Sequence, residues 1–259
     1  MSDVPRSAGD DAGQAPGPDG ASGIARSVGA GGKAPRGAKR LQIALFDLDH
    51  TLIPFDSGSM FTRHLASLGA LDDGFEAQYL DFCRRYADGT VDMMAMHRFT
   101  VGALGRHDPA TLAAWLRDFR ATIAPHVPPA ALALVARHLA TRDACALVTA
   151  TTRFVAEAFA AVFGLADVLA TEPQIDARGR YTGEIVGAAC FREHKIAHVT
   201  AWLARRGVRW EDVERSWFYS DSINDLPLLE AVTDPVAVDP DPALRAQASA
   251  RGWPIVSFV

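Results

Sequence analysis

The amino-acid sequence predicts an α/β fold, in which a parallel β-sheet is flanked by helices and an all-α cap subdomain follows the first strand. Short apolar runs typical of buried parallel strands begin at Leu41 and at Ala144. Helical periodicity alternates with such runs in the second half of the chain, as in open parallel sheets. Residues 53–127 show helical periodicity only, which predicts an inserted helical cap.

The bulk composition excludes several classes of function. The chain has 259 residues, 49% of them hydrophobic and 22% charged, with a formal net charge of −5. This balance gives no basic surface for nucleic acid and no attraction to an anionic membrane. No apolar stretch reaches the roughly 18–20 residues of a membrane span. Three cysteines without a C-x-x-C pair predict a cytoplasmic protein without a disulfide framework.

The sequence divides into a tail, a core and a cap. Residues 1–40 are rich in Gly, Ala, Pro and Ser and lack aromatic residues, so we expect a disordered tail. The α/β core is predicted at residues 41–52 and 128–259, and the helical cap at residues 53–127.

Individual elements follow from periodicity and from turn residues. Strands are predicted at residues 41–46, 144–149, 168–170 and 216–221, a hairpin around Arg178-Gly179-Arg180, and edge strands at 236–238 and 255–256. Helices are predicted at residues 57–68, 75–86, 91–104, 109–122, 130–142, 154–163, 193–206 and 225–231.

Three predicted strands end in polar residues, namely Asp47, Thr149 and Asp221. Ligands of open α/β sheets bind outside the carboxyl ends of the strands, so these side chains should share one crevice. Asp49 lies two residues after Asp47 and would face the same way in an extended strand. Such a carboxylate cluster is costly unless a cation balances it, and Mg²⁺ prefers oxygen ligands. The sequence therefore predicts a magnesium site.

These residue types suit phosphoryl transfer. A carboxylate can attack phosphorus, and a second one, Asp49, could protonate the leaving group and then activate water. Thr149 offers a hydroxyl and a backbone N–H to a phosphate oxygen. Lys195, at the start of a predicted helix, is a candidate to offset the phosphate charge. Arg192 and His194 flank it and are alternatives for that role.

Together the residues resemble the four motifs of the haloacid dehalogenase superfamily of aspartyl-phosphate phosphatases, over roughly residues 41–238. In chain order the motifs are Asp47-Leu48-Asp49-His50-Thr51-Leu52, Leu147-Val148-Thr149, Lys195, and Tyr219-Ser220-Asp221-Ser222-Ile223-Asn224-Asp225. The resemblance implies a Rossmann-like core and a Mg²⁺ cofactor.

The resemblance also implies residue roles. Asp47 is similar to the nucleophile and a metal ligand, Asp49 to the acid/base, which binds metal through its backbone carbonyl, and Asp221 to the third metal ligand. The remaining roles are phosphate binding by Thr149, Ala150 and Lys195, and support of the site by Thr51, Asn224 and Asp225.

The cap inserted between the first two motifs is similar to that of the phosphoserine-phosphatase-like branch, subfamily IB. Three of that enzyme's features differ here: its cap glutamate is Asp56, its phenylalanine and arginine align with Met93 and Thr100, and its Ser-Gly-Gly turn is Thr149-Ala150-Thr151. Asp56 is a candidate substrate contact or the cap of a helix that begins at Ser57. Further candidate substrate contacts are Arg98, Arg153 and His97.

The resulting hypothesis is a Mg²⁺-dependent phosphomonoester hydrolase that acts on a small phosphorylated metabolite through an aspartyl-phosphate on Asp47. Phosphoserine and histidinol phosphate both fit a compact cap, and neither is assigned. A phosphotransferase that passes the phosphoryl group to an alcohol is an alternative, as is a catalytically idle metal-binding interaction protein. The sequence does not indicate an oligomeric state.

Overall fold

A computed structural model describes residues 41–141 and 143–258. The expected disordered tail at residues 1–40 lies outside this part of the chain. The described residues form a six-stranded parallel sheet of order β3-β2-β1-β6-β7-β8, together with a separate antiparallel hairpin, β4-β5. The α/β prediction is confirmed.

The strands within this described part are β1 (Leu41–Phe46), β2 (Ala144–Thr152), β3 (Asp167–Thr171), β4 (Pro173–Ile175), β5 (Tyr181–Ile185), β6 (Val213–Ser220), β7 (Asp234–Val238) and β8 (Ile255–Val256). The α-helices are α1 (Ser57–Ser67), α2 (Phe75–Ala87), α3 (Met93–Leu104), α4 (Pro109–Ile123), α5 (Pro129–Ala140), α6 (Arg153–Phe163), α7 (His194–Arg205), α8 (Leu226–Ala231) and α9 (Pro242–Arg251). Short 3-10 turns cover Ala124–His126, Trp210–Asp212 and Ile223–Asp225.

Strand β1 is buried on both faces, as its apolar sequence predicts. Ala44 and Phe46 belong to one core cluster, and Ile43 and Leu45 belong to the other, on the opposite face of the sheet. The first cluster continues into the cap helices through residues such as Phe61, Phe119 and Ile123. The second is covered by α7, α8 and α9, which contribute residues such as Trp202, Leu228 and Leu244.

The cap stretch, residues 53–127, contains the four α-helices α1 to α4 and no strand among its described residues. Three of these helices begin at aspartate N-caps, because a carboxylate accepts the N–H groups that the first turn leaves unpaired: Asp56 for α1, Asp92 for α3 and Asp108 for α4. The cap is not isolated, since α1 and α4 pack on α6, and α3 packs on β5. The domain boundaries remain a prediction.

In the last third of the chain, one expectation was wrong and one helix was not predicted. Strand β7 is not an edge strand, because β8 pairs with it on the side away from β6. Helix α9 was not predicted, although Asp241 and Pro242 form its N-cap and first position. Its sequence is rich in small and polar residues, so it lacks a strong apolar periodicity. Within residues 41–141 and 143–258, no helix is both long and apolar enough to cross a membrane.

Candidate active site

The site lies at the point in the sheet where successive strands are added on the opposite side of β1. Strands β2 and β3 lie on one side of β1, whereas β6, β7 and β8 lie on the other. Phe46 and Tyr219 are in register on β1 and β6, and the Asp47 N–H donates to the Tyr219 carbonyl at 3.0 Å. Asp47 and Asp221, just beyond the ends of these strands, therefore meet at the switch point, where open sheets bind ligands.

Asp47 presents its two carboxylate oxygens to different partners. Lys195 Nζ lies 2.8 Å from Oδ1, and Thr51 Oγ1 lies 3.2 Å from Oδ2. Thr51 Oγ1 also lies 2.8 Å from Asp221 Oδ1 and accepts the Asp221 N–H at 3.0 Å. The Thr51 hydroxyl has one hydrogen, so it can donate to only one of the two carboxylates at a time. The two aspartates thus converge around a single hydroxyl.

The electrostatics of this pair show an excess of negative charge. Burial, and then the neighbouring Asp47, raise the pKa of Asp221 to about 8. Burial also raises the pKa of Asp47, although Lys195 opposes the effect. Two converging carboxylates with raised pKa values are suited to a cation.

Lys195 occupies the opposite side of Asp47 and is 2% exposed. Its Nζ also lies 2.7 Å from Asp225 Oδ2, an oxygen that accepts the Ser220 hydroxyl at 2.7 Å. Burial disfavours the ammonium, but Asp225 and Asp47 outweigh it and raise the pKa of Lys195 above its usual value. The lysine is therefore a fixed positive charge beneath Asp47.

The two sequence alternatives to Lys195 lie elsewhere. Arg192 donates through Nε to Asn224 Oδ1 at 3.0 Å, and its guanidinium lies over the Phe191 ring. The side chain of His194 is about half exposed, at 52%, and its nearest acidic partner is Glu193 at 3.9 Å. Neither has a contact with Asp47 among the hydrogen bonds and ion pairs of the described residues.

Asp49 is held between the cap and β2. Its Oδ1 accepts the Ser57 N–H at 2.5 Å, and its Oδ2 accepts the Thr151 hydroxyl at 2.7 Å. Burial, followed by the charge of Asp56, raises the pKa of Asp49 to about 6. The side chain thus bridges the first turn of α1 and the segment that contains Thr149.

A cavity of about 500 Å³ opens above these residues. The predicted site residues that line it are Asp47, Asp49, Asp56, Thr149, Ala150, Asp221 and Asn224. Its cap wall comprises Phe61, Leu65, Phe75, Tyr79, Tyr86, Met93, Met96, His97, Thr100 and Leu104. Thr51, Lys195 and Asp225 support the floor of the site from buried positions.

Asp56 is the N-cap of α1 and also lines the cavity, whereas its contact with a substrate remains a prediction. Its carboxylate caps α1 by accepting the Ser59 N–H at 2.6 Å, and it also lines the cavity. The Tyr79 hydroxyl donates to the same carboxylate oxygen at 3.2 Å. The helix cap therefore fixes an acidic group in the cap wall.

The structure does not bring Arg98 or Arg153 to the cavity. Arg98 is exposed and pairs with Glu184 on β5 at 2.7 Å. Arg153 pairs with Glu172 and donates to the Val168 carbonyl at 2.9 Å. Both lie next to cavity-lining residues in sequence, but side-chain direction on a helix carries them outward.

Several cavity residues were not singled out from the sequence. Tyr79 and Tyr86 reach the cavity because of how α2 packs on the core, and no local pattern distinguishes them from core tyrosines. Thr151 could have been found from the sequence, since it lies two residues after Thr149, the polar end of the predicted strand. Its hydroxyl donates to Asp49.

Comparison with known proteins identifies the family. The profile of the haloacid dehalogenase-like hydrolases matches residues 44–230. A histidinol-phosphatase from Neisseria meningitidis serogroup C is 37% identical over 83% of this chain and 98% of that protein. A probable phosphatase from Mycobacterium tuberculosis is 32% identical over 88% of this chain and 78% of that protein.

Solved structures agree on the fold. A protein of unknown function from Bordetella pertussis Tohama I has a TM-score of 0.79 and 44% identity, over 85% of this chain and 99% of that one. A substrate-bound phosphoserine phosphatase has a TM-score of 0.60 and 15% identity, over 85% and 94% of the two chains, a likeness in fold alone. The chain belongs to the haloacid dehalogenase-like hydrolases and is a phosphatase of that family.

Proposed function

We propose that the protein hydrolyses a small phosphomonoester in a Mg²⁺-dependent reaction through an aspartyl-phosphate on Asp47. The observation that carries the proposal is the pair of contacts made by Asp47. One carboxylate oxygen is held by buried Lys195, and the other faces the hydroxyl that it shares with Asp221. This arrangement fixes a carboxylate nucleophile beside a positive charge and a second carboxylate.

The donor set fits Mg²⁺. Among residues 41–141 and 143–258, no three His, Cys, Asp or Glu side chains form a ready metal cluster. Mg²⁺ is usually held by only one or two carboxylates plus waters and substrate phosphate, a role that Asp47 and Asp221 suit. The backbone carbonyl of Asp49 is the third proposed ligand. When bound, the cation would neutralise charge on the phosphoryl oxygens.

In the first half-reaction, a carboxylate oxygen of Asp47 forms a bond to phosphorus while the ester P–O bond breaks. The leaving alkoxide takes a proton from Asp49, which lines the cavity. In the second half-reaction, Asp49 removes a proton from water as the water attacks phosphorus. The Asp47–phosphorus bond then breaks and releases phosphate.

The phosphoryl group is proposed to sit against Thr149 and Ala150 at the end of β2. Both line the cavity, and Thr149 is buried beneath it. The Lys195 ammonium contributes a positive charge from below Asp47. Thr51, Asn224 and Asp225 are proposed to hold these groups in place.

We further propose that the organic part of the substrate carries an amine rather than a carboxylate. The described lining residues include five aspartates and no lysine or arginine, so a carboxylate would find no cationic partner there. An ammonium group could instead pair with Asp56 in the cap wall. The 37% identical relative is named a histidinol-phosphatase, so histidinol phosphate is the specific candidate.

The test measures phosphate release from histidinol phosphate and from phosphoserine with Mg²⁺, for wild type and for Asp47→Asn. We expect kcat/KM to favour histidinol phosphate, and Asp47→Asn to be inactive because an amide cannot form the acyl-phosphate. Asp73→Asn, a change of an exposed cap aspartate, is the matched control. Wild-type turnover by Asp47→Asn would refute the mechanism, and a preference for phosphoserine would refute the substrate proposal.

The same assay addresses the phosphotransferase alternative. When acceptor alcohols are added, a hydrolase should still release free phosphate as its product, whereas a transferase would form a new phosphate ester.

We also propose a cytoplasmic setting, in keeping with three free cysteines, Cys83, Cys145 and Cys190.

A further inference from the structure

His97 is a buried histidine of the cap wall with one unpartnered ring nitrogen. It lies on α3, lines the cavity and is 4% exposed. Its Nδ1 lies 3.2 Å from Thr152 Oγ1, whereas Nε2 has no hydrogen-bond partner. Buried polar atoms in proteins are normally hydrogen-bonded, so an unpartnered one beside a cavity points to a ligand.

His97 is distinct from the other such groups in the described chain. Two more buried side-chain atoms there lack a partner, His64 Nε2 and Trp202 Nε1. Neither residue is among those that line the cavity. Within residues 41–141 and 143–258, only His97 therefore combines an unpartnered buried nitrogen with a position on the cavity wall.

Neighbouring polar groups of the wall are already occupied. The Tyr79 hydroxyl donates to Asp56, and the Thr100 hydroxyl lies 3.0 Å from the His97 carbonyl. Thr152, the partner of His97 Nδ1, ends the same strand that carries Thr149 and Ala150. This contact fixes the imidazole relative to the proposed phosphate site.

The charge of the cavity indicates which nitrogen of the His97 ring carries the proton. Burial lowers the pKa of His97 to about 4, so its ring is neutral near pH 7 and one of its nitrogens lacks a proton. A cavity lined by five aspartates and no lysine or arginine favours a ligand that offers hydrogen-bond donors. Such a ligand needs an acceptor, which Nε2 becomes when Nδ1–H donates to Thr152.

We propose that His97 is a specificity residue whose Nε2 accepts a hydrogen bond from an N–H group on the organic part of the substrate. This inference rests on the proposed phosphatase function. It assigns to His97 the recognition of the amine-bearing or imidazole-bearing part of the substrate. The phosphoryl group is bound elsewhere, so His97 takes no part in bond breaking.

The test compares wild type with His97→Leu and His97→Gln on two substrates. Histidinol phosphate carries N–H groups, whereas p-nitrophenyl phosphate carries none. We expect His97→Leu to lower kcat/KM for histidinol phosphate about 10- to 100-fold, mainly through KM, because a hydrogen bond to a buried group is lost. His97→Gln keeps a polar amide and should retain more of the selectivity. Hydrolysis of p-nitrophenyl phosphate should change less than about twofold.

Equal losses on both substrates, or no change on either, would overturn the proposal. A thermal melt of each variant separates a folding defect from a change in selectivity. If wild type released no phosphate from any ester, the proposed function would fail, and calorimetric titration with histidinol would still decide the role of His97. Tighter binding to wild type than to His97→Leu would support the proposal, and equal or absent binding would refute it.

Discussion

Lys195 Nζ lies 2.8 Å from Asp47 Oδ1, so the first turn of α7 contacts the residue just after β1 across 148 positions of sequence. The same ammonium lies 2.7 Å from Asp225 Oδ2. One buried cation thus forms ion pairs with two buried carboxylates. Its removal should affect both the folding and the chemistry of the protein.

Lys195→Met should lower kcat at least about 100-fold and destabilise the fold by about 3–5 kcal/mol, because two buried carboxylates lose their counter-charge. Urea denaturation and phosphate release measure the two effects. The double variant Lys195→Met/Asp225→Asn removes one of those charges and should recover part of the stability without recovering activity. Unchanged stability of the single variant would contradict the ion-pair interpretation.

Mg²⁺ should raise the melting temperature of the wild type, because it binds the folded state at Asp47 and Asp221. At 100 times its dissociation constant, a ligand that binds only the folded state stabilises it by about 2.7 kcal/mol. Asp221→Asn should lose this gain and should be more stable than wild type without metal, since the charge repulsion with Asp47 is removed. Asp73→Asn should behave as wild type. A metal response retained by Asp221→Asn would exclude this residue as a ligand.

Gly105→Ala should destabilise the protein by about 1–3 kcal/mol, because its new Cβ would lie 2.5 Å from the backbone oxygen of Tyr181 on β5. Gly102→Ala, three residues earlier in α3, is the matched control, since its Cβ would meet nothing within 4 Å. That change should be neutral or stabilise the helix by up to about 1 kcal/mol. Thermal denaturation of the two variants tests whether α3 packs closely on the hairpin.

Tyr219→Phe should cost about 1–3 kcal/mol with little effect on kcat. His138 Nδ1 lies 2.9 Å from Asp143 Oδ2, and its Nε2 lies 2.8 Å from the Tyr219 hydroxyl, so the change removes the hydrogen-bond partner of a buried ring nitrogen. The phenyl ring of the variant would keep the stacking of Tyr219 on Phe46, which precedes Asp47. Chemical denaturation and steady-state kinetics check the two halves of this prediction. A large loss of kcat would show that the network positions the nucleophile.

Local pattern was enough to predict most of the fold. The apolar run of β1 and the polar residues at the ends of β1, β2 and β6 are properties of short segments, and they predicted the sheet and its crevice correctly. Helix α9 was missed because it buries only a narrow stripe, with Leu244 and Ala248 as its buried residues. The interior position of β7 depends on pairing with the short strand β8, which follows α9 in the chain, and no local pattern encodes that pairing.

The sequence by itself determined the chemical groups of the candidate site, which are, in chain order, Asp47, Asp49, Thr149, Lys195 and Asp221. Tertiary structure decided which groups face the cavity. Arg98 and His97 are adjacent on α3, yet one lies exposed against Glu184 and the other lines the cavity with Nε2 unpaired. Consecutive residues on a helix point about 100° apart, so only the packing of α3 on the core and on β5 selects between them.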